Sequence, residues 1–436
     1  MAAPPENSPY LPKMIEAEGG HAPEAPATLK ATGIDRTDLL DLALKTAHLL
    51  PQLSTESAAT RMRLPRALAA ELLEQLRGDM LLEALGQENP FSTRYAISQR
   101  GRERADRLME VSGYVGPAPV SLDAYRAMLE WQDAHTPHVS PETVKTVLAG
   151  LVLTDEATEI AGLAISSGRS LFLSGPAGNG KTSLGRQLHR ALSGDLWIPY
   201  CIAVDSNIIR LFDEHCHEEV PVAAEKHHPI DQRWIKVKRP FVVAGGEMTL
   251  ASLDLAYLEA QRYYEAPLHM KANGGTFLID DFGRQHVEPH ELLNRWIIPL
   301  ENKIDFLTLH SGQKIEVPFL LMLIIATNLD PKDVTDPAFL RRLGYRLKLE
   351  APSAELYSRI FIQYAAQYDL KVPPEILARL LKRYADTGRE LRACEPRDLI
   401  ERVGDICKLR GIPPALTDEF LDLAWRGYFG DEQNAA

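Results

Sequence analysis

The chain has 436 residues, with 48 Lys plus Arg against 60 Asp plus Glu and a formal net charge of −12. Such a length exceeds one ordinary core and predicts two or three domains. Its acidic balance excludes a protein that coats nucleic acid by charge alone, because that affinity comes from Lys and Arg against phosphate. Hydrophobic content of 45% and charged content of 25% are globular values, which excludes wholesale disorder and fibrous classes.

No apolar run reaches the roughly 18 residues that a spanning helix needs, and MAAPPENSPYLPKM lacks the basic start and apolar centre of a signal peptide. The expectation is a cytoplasmic protein without membrane insertion. Residues 1–34, rich in Pro, Ala and Glu without periodicity, are expected as a disordered leader.

Residues 35–115 predict three helices, DLLDLALKTAHLL, STESAATRM and LPRALAAELLEQLRGD, then strands in LLEALGQ and RYAISQ, then the helix RGRERADRLMEVSG. That order resembles a winged helix, whose third helix enters a DNA major groove in duplex readers. Arg61, Arg63, Arg66 and Arg94 are the candidate phosphate contacts. From Arg36 to Val115, however, 11 basic residues face 11 acidic ones, and the third helix carries Glu71, Glu74 and Asp79. Both DNA binding and protein docking stay open for this domain.

Residues 116–139 read as a linker that packs on the next domain. From 140 to 352 strand and helix patterns alternate, as in a parallel sheet with crossover helices. Four amphipathic segments between 353 and 430 predict a small helical domain, opening with SAELYSRIFIQYAAQYDL and closing with TDEFLDLAWRGYF. The fold class is therefore α/β, with a C-terminal helical lid and an N-terminal α+β domain.

Chemistry concentrates in SLFLSGPAGNGKTS, which fits GxxxxGK[ST]. A triphosphate needs many donors at short range, so the backbone must wrap around it, and glycines remove the side chains that would block the approach. Gly175, Pro176, Ala177, Gly178, Asn179, Gly180, Lys181, Thr182 and Ser183 are the expected nucleotide-binding residues. Lys181 places a point charge toward the β and γ phosphates, and the Thr182 hydroxyl is a candidate Mg²⁺ ligand.

A phosphate loop needs a metal-holding carboxylate at a neighbouring strand end, and GGTFLIDDFGRQ supplies one. Asp280 is the expected partner of Mg²⁺ through water. Asp281 is positioned to orient or deprotonate the attacking water.

With these motifs in order the chain resembles an AAA+ ATPase over about residues 140–430. The resemblance implies roles for several further residues. Asn328, ending the strand in LLMLIIATNLDP, resembles sensor 1, which places the hydrolytic water. The segment DPAFLRRLGYRLKLEAP resembles the family's arginine region, so Arg341 or Arg342 is an arginine finger reaching a neighbouring subunit. In ACEPRDLIERV, Arg397 is similar to the sensor 2 arginine of the lid. One departure is the Asp280-Asp281 pair, since the family has Asp-Glu; the second carboxylate is one methylene shorter, about 1.5 Å of reach.

DFLTLH and KIEVPF flank SGQ immediately before the Asn328 strand and resemble the presensor-1 hairpin of MoxR-like and related proteins. A further insertion, from about 205 to 270, contains RWIKVKRPFVVAGGEMTLASLDLAYLEAQRYYEAPL, whose strand pair and Gly245-Gly246 turn are expected to form a substrate-facing loop. The GAFTGA loop of sigma-54 activators is absent. The implied activity is ATP hydrolysis with Mg²⁺ by a homo-oligomeric, hexameric ring that remodels an unidentified protein substrate, or alternatively a ring that acts on DNA through the winged helix. Four well-separated cysteines predict free thiols, and HCHEE at His215 to Glu219, with His227 and His228 beyond, reads as a solvated polar loop.

Overall fold

The computed structural model describes residues 8–17, 20–89, 92–222, 229–330, 339 and 341–430. The chain divides into two compact units. One comprises Met1–Pro137, Ser193–Phe277 and Arg295–Met322, and the other His138–Leu192, Leu278–Asn294 and Leu323–Ala436. This corrects the expectation of one contiguous core over 140–352. The segments 193–277 and 295–322 bury their apolar residues with the N-terminal part of the chain instead: Tyr125, Trp197, Ile202, Trp234 and Val317 share one cluster.

In the first unit the expected leader is ordered where it is described. Met14–Ala17 and Gly20–Pro23 pair antiparallel, and Ile15, Ala22 and Leu29 are buried. An ion pair holds it: Arg233, bonded to Asp231 at 2.8 Å, donates to the carbonyls of Thr32 at 2.8 Å and Pro119 at 3.1 Å. The absence of periodicity misled because these contacts are long-range.

Helices Arg36–His48, Thr55–Met62 and Arg66–Gly78 then succeed one another as expected. Asp35 and Ser54 cap the first two by accepting from Thr37 N–H and Ser57 N–H. Strand Leu82–Asn89 pairs antiparallel with Ser92–Ile97, and the short strand Leu53–Ser54 adds on the other side of Ser92–Ile97. Helix Gln99–Val111 closes the group.

The expected linker holds helix Leu122–Ala134, which is tied to strand Asp195–Pro199 by the Gln132 amide, its Nε2 donating to the Trp197 carbonyl and its Oε1 accepting the Trp197 N–H. Both expected strands of RWIKVKRPFVVAGG form, but they lie in different sheets: Trp234–Lys238 pairs with Asp195–Pro199, and Phe241–Ala244 lies beside Thr276–Ile279. Arg239-Pro240 separates Trp234–Lys238 from Phe241–Ala244, and proline brings no N–H to a ladder. Ile304–Thr308 and Lys314–Pro318 do form the expected hairpin, in register from Ile304↔Pro318 to Thr308↔Lys314.

The second unit carries the parallel sheet. Leu171–Ser174 lies between Met322–Ala326 and Tyr345–Lys348, parallel to both, and Thr276–Ile279 lies beyond Met322–Ala326. Leu171–Ser174, Thr276–Ile279 and Met322–Ala326 are buried at every position. Unbroken apolar runs of that kind belong to strands covered on both faces.

Four helices complete this unit, Ala354–Gln367, Pro374–Asp386, Glu395–Arg410 and Asp418–Phe429. They close over a core that includes Tyr357, Phe361, Leu399 and Trp425. All four cysteines are free, and among the described residues no helix is long and apolar enough to cross a membrane.

Candidate functional site

The strand order brings three loop ends together at one edge of the second unit. Leu171–Ser174 feeds the phosphate loop, which runs into helix Lys181–Arg190 with Gly180 at its N-cap. Gly175 has φ +131°, and a Cβ there would lie 2.1 Å from the Leu349 carbonyl oxygen, so only glycine fits. Thr276–Ile279 delivers Asp280 and Asp281, and Met322–Ala326 delivers Asn328 from the position between them.

Lys181, 7% exposed, donates to the carbonyls of Gly175 at 2.7 Å and Pro176 at 2.9 Å and to Asn328 Oδ1 at 2.7 Å. Burial draws its pKa below the usual lysine value, and the charges of Asp281 and Asp280 pull it back up. Asn328 Nδ2 donates onward to Asp281 Oδ1 at 2.8 Å. A continuous chain of hydrogen bonds therefore runs from the phosphate-loop ammonium through the amide to the exposed carboxylate.

Thr182 Oγ1 donates to Asp280 Oδ2 at 2.8 Å. A hydroxyl oxygen and a carboxylate oxygen at that separation are the hard oxygen donors that suit Mg²⁺, so these two residues fit the expected ion. Among the described residues no group of three or more His, Cys, Asp and Glu converges as a metal site of its own.

Asp281 sits at φ +50°, a left-handed conformation that few non-glycine residues adopt. Its backbone is braced from several sides. Asp280 Oδ1 accepts the Asp281 N–H at 3.0 Å, Gln285 Nε2 donates to the carbonyls of Asp280 at 3.1 Å and Asp281 at 3.3 Å, and Phe282 N–H donates to Ala326 C=O at 2.8 Å. Backbone held in a sparse region by surrounding bonds is a mark of functional positions.

Asn179, 6% exposed, has a buried Nδ2 with no hydrogen-bond partner among the described residues, while its Oδ1 accepts from Ala393 N–H at 3.3 Å. Arg397 pairs with Asp398 through Nε at 3.2 Å and Nη2 at 3.0 Å, and that bond raises its pKa. The lid residues against the phosphate loop are instead Arg392, Ala393 and Cys394, which sequence reasoning missed. No pattern in GRELRAC marks them; only the closeness of the loop does.

Arg341 is exposed and Arg342 half-buried, in a turn before strand Tyr345–Lys348. The DPAFL residues 336–338 and 340 lie outside the described residues. So do His227 and His228. HCHEE is not wholly solvated: His217 is buried, its Nδ1 accepting from Asp213 N–H at 3.0 Å and its Nε2 meeting the Lys271 carbonyl at 2.9 Å. Burial lowers its pKa.

Residues 353–427 match a family model described as "Domain of unknown function (DUF8689)". No curated protein matches the chain. Among solved structures, NtrX from Brucella abortus in complex with ADP is 15% identical, covering 74% of this chain and 64% of that one, at a TM-score of 0.39. The Thermotoga maritima RuvB Holliday junction branch migration motor is 16% identical over 67% of this chain and 72% of that one, at a TM-score of 0.35. At such identity and TM-score these likenesses carry no functional argument, and the chemistry rests on the residues of the site.

Proposed function

We propose that the chain is an AAA+ ATPase that hydrolyses ATP and works as a hexameric ring to remodel a protein partner. The observation that carries this is the hydrogen-bond chain Lys181–Asn328–Asp281 beside the Thr182–Asp280 pair. Those are a cation and a hydroxyl for the phosphates and metal, and an amide and a carboxylate for a water.

The phosphate-loop N–H groups and Lys181 would bind the β and γ phosphates. Mg²⁺, held by Thr182 and Asp280, would supply charge neutralisation between phosphate oxygens. Asn328 fixes the Asp281 carboxylate by donating to one of its oxygens, leaving the other to accept a proton from water. The exposed Arg341, with Arg342 as the alternative, would complete a neighbour's site. Arg397 would have to release Asp398 to reach a phosphate.

We read residues 35–115 as a winged-helix-like docking domain and Ile304–Pro318 as the presensor-1 hairpin. Protein docking is favoured over duplex binding by the ion pairing of the third helix. Glu71 pairs with Arg36 at 3.0 Å, Glu74 with Arg77 at 2.5 Å, and Arg66 faces Glu56 at 3.6 Å. A face neutralised by its own acids offers little to phosphate.

The test is phosphate release from MgATP by the purified full chain, with mass measured in solution under ATP. Turnover that depends on Lys181 and Asp281, by an oligomer, supports the reading. A chain that neither binds nor hydrolyses ATP would overturn it. A salt-dependent shift of labelled duplex would replace the protein partner with DNA.

A further inference from the structure

Peptide units of a phosphate loop turn their N–H groups toward an anion only if the carbonyls and side chains on the opposite face find donors elsewhere. Lys181 serves the carbonyls of Gly175 and Pro176, and for Gly178 and Asn179 the donors come from one short stretch of the lid. Cys394 N–H donates to Gly178 C=O at 2.9 Å, and Ala393 N–H donates to Asn179 Oδ1 at 3.3 Å. The approach is close enough that a Cβ on Gly178, whose φ is +83°, would lie 2.7 Å from Cys394 Sγ.

The stretch is itself pinned from behind by a buried carboxylate. Glu395, 4% exposed, accepts the Arg392 N–H at 3.2 Å and the Tyr384 hydroxyl at 2.9 Å, both on Oε2. The Tyr384 hydroxyl in turn accepts from the Tyr357 hydroxyl at 3.0 Å. Burial raises the Glu395 carboxyl above its usual range. A buried acid retained at such a cost, with its partners all polar and aligned, holds a geometry more than it adds stability.

We infer that Glu395 is a positioning residue for the phosphate loop. Through Arg392 it fixes the residues 393–394 whose N–H groups hold Gly178 and Asn179, and so it keeps the loop's own N–H groups aimed at the nucleotide phosphates. The inference rests on the nucleotide-binding function proposed for this site and adds a coupling to it. Displacement of the lid residues withdraws both donors at once, the loop relaxes, and the nucleotide is released.

The test is the dissociation constant of ADP with Mg²⁺, measured by titration calorimetry on the full chain. Glu395→Ala is expected to weaken binding roughly tenfold, the loss that comes from unmaking bonds to buried donors. Glu395→Gln keeps a carbonyl for both donors and is expected to bind as wild type. Asn179→Ala removes the loop's end of the same latch, so the double variant with Glu395→Ala is expected to lose far less than the product of the two single losses. Tyr384→Phe removes only the hydroxyl that Glu395 accepts, and a several-fold loss is expected even if Glu395→Ala fails to fold. Wild-type affinity in Glu395→Ala or in Tyr384→Phe, or multiplicative losses in the double variant, would overturn the latch while leaving the binding site standing. No ADP binding by wild type itself would bring down both the latch and the nucleotide site.

Discussion

Lys181 Nζ donates to Asn328 Oδ1 at 2.7 Å, joining residues 147 apart in sequence across two adjacent parallel strands. The ammonium has two further acceptors in the loop, so it is held in place rather than left to a flexible stem. A polyphosphate competes with neutral oxygens for that charge, and charged acceptors win. Lys181→Ala is therefore expected to abolish binding of fluorescent ATP while the far-UV spectrum and cooperative unfolding persist. Unchanged affinity would remove Lys181 from the site.

The carboxylate at the end of the hydrogen-bond chain separates binding from chemistry. Asp281→Asn keeps the side-chain shape, tolerates the positive φ, and still accepts from Asn328 through its carbonyl oxygen. It cannot take a proton from water. ATP affinity is expected to stay near wild type while phosphate release falls by about 10² or more. Normal turnover in this variant would put the base elsewhere. Asn328→Ala is expected to show the same split more weakly, since it frees Asp281 without removing it.

These two residues were legible in the sequence because a phosphate loop, an acidic strand end and an Asn-ended strand are local signals in a fixed order. The helices were legible through their apolar spacing, and in the structure Asp35, Ser54, Ser98, Ser353 and Thr417 cap five of them. What escaped depends on contacts distant in the chain. Nothing local in MIEA or GHAP says that Arg233 closes over Thr32, nor in RAC that its N–H groups serve Gly178 and Asn179. The pairing of Trp234–Lys238 with Asp195–Pro199 was hidden likewise, because a nearer partner satisfied the same alternation.

The buried pair Arg233–Asp231 gives a stability prediction for the first unit. Both side chains are almost wholly shielded, and the guanidinium donates to two carbonyls as well as to the carboxylate. Arg233→Ala strands a buried charge and two acceptors, so it is expected to cost about 3–5 kcal/mol in denaturant unfolding. A loss within about 0.5 kcal/mol would mean that water replaces the arginine at little expense.

Lys45 makes a pH prediction whose sign can be followed directly. It lies on helix Arg36–His48, nearly buried, with Nζ donating to the Ser112 carbonyl at 2.9 Å. Burial lowers its pKa from 10.5 to about 8, although Asp41 and Asp38 act to raise it. Below about pH 8 both folded and unfolded chains carry the proton, and the folded state bears the whole cost of the buried charge. Between about 8 and 10.5 the unfolded chain binds more protons than the folded one, so raising the pH favours folding. Tyrosines and cysteines titrate in the same range, and comparison with Lys45→Met cancels them. The stability of wild type relative to Lys45→Met is expected to climb across that interval by an amount on the order of 1–3 kcal/mol. Parallel curves for the two proteins would show that Lys45 reaches water when charged, and a relative fall would reverse the sign of the burial effect.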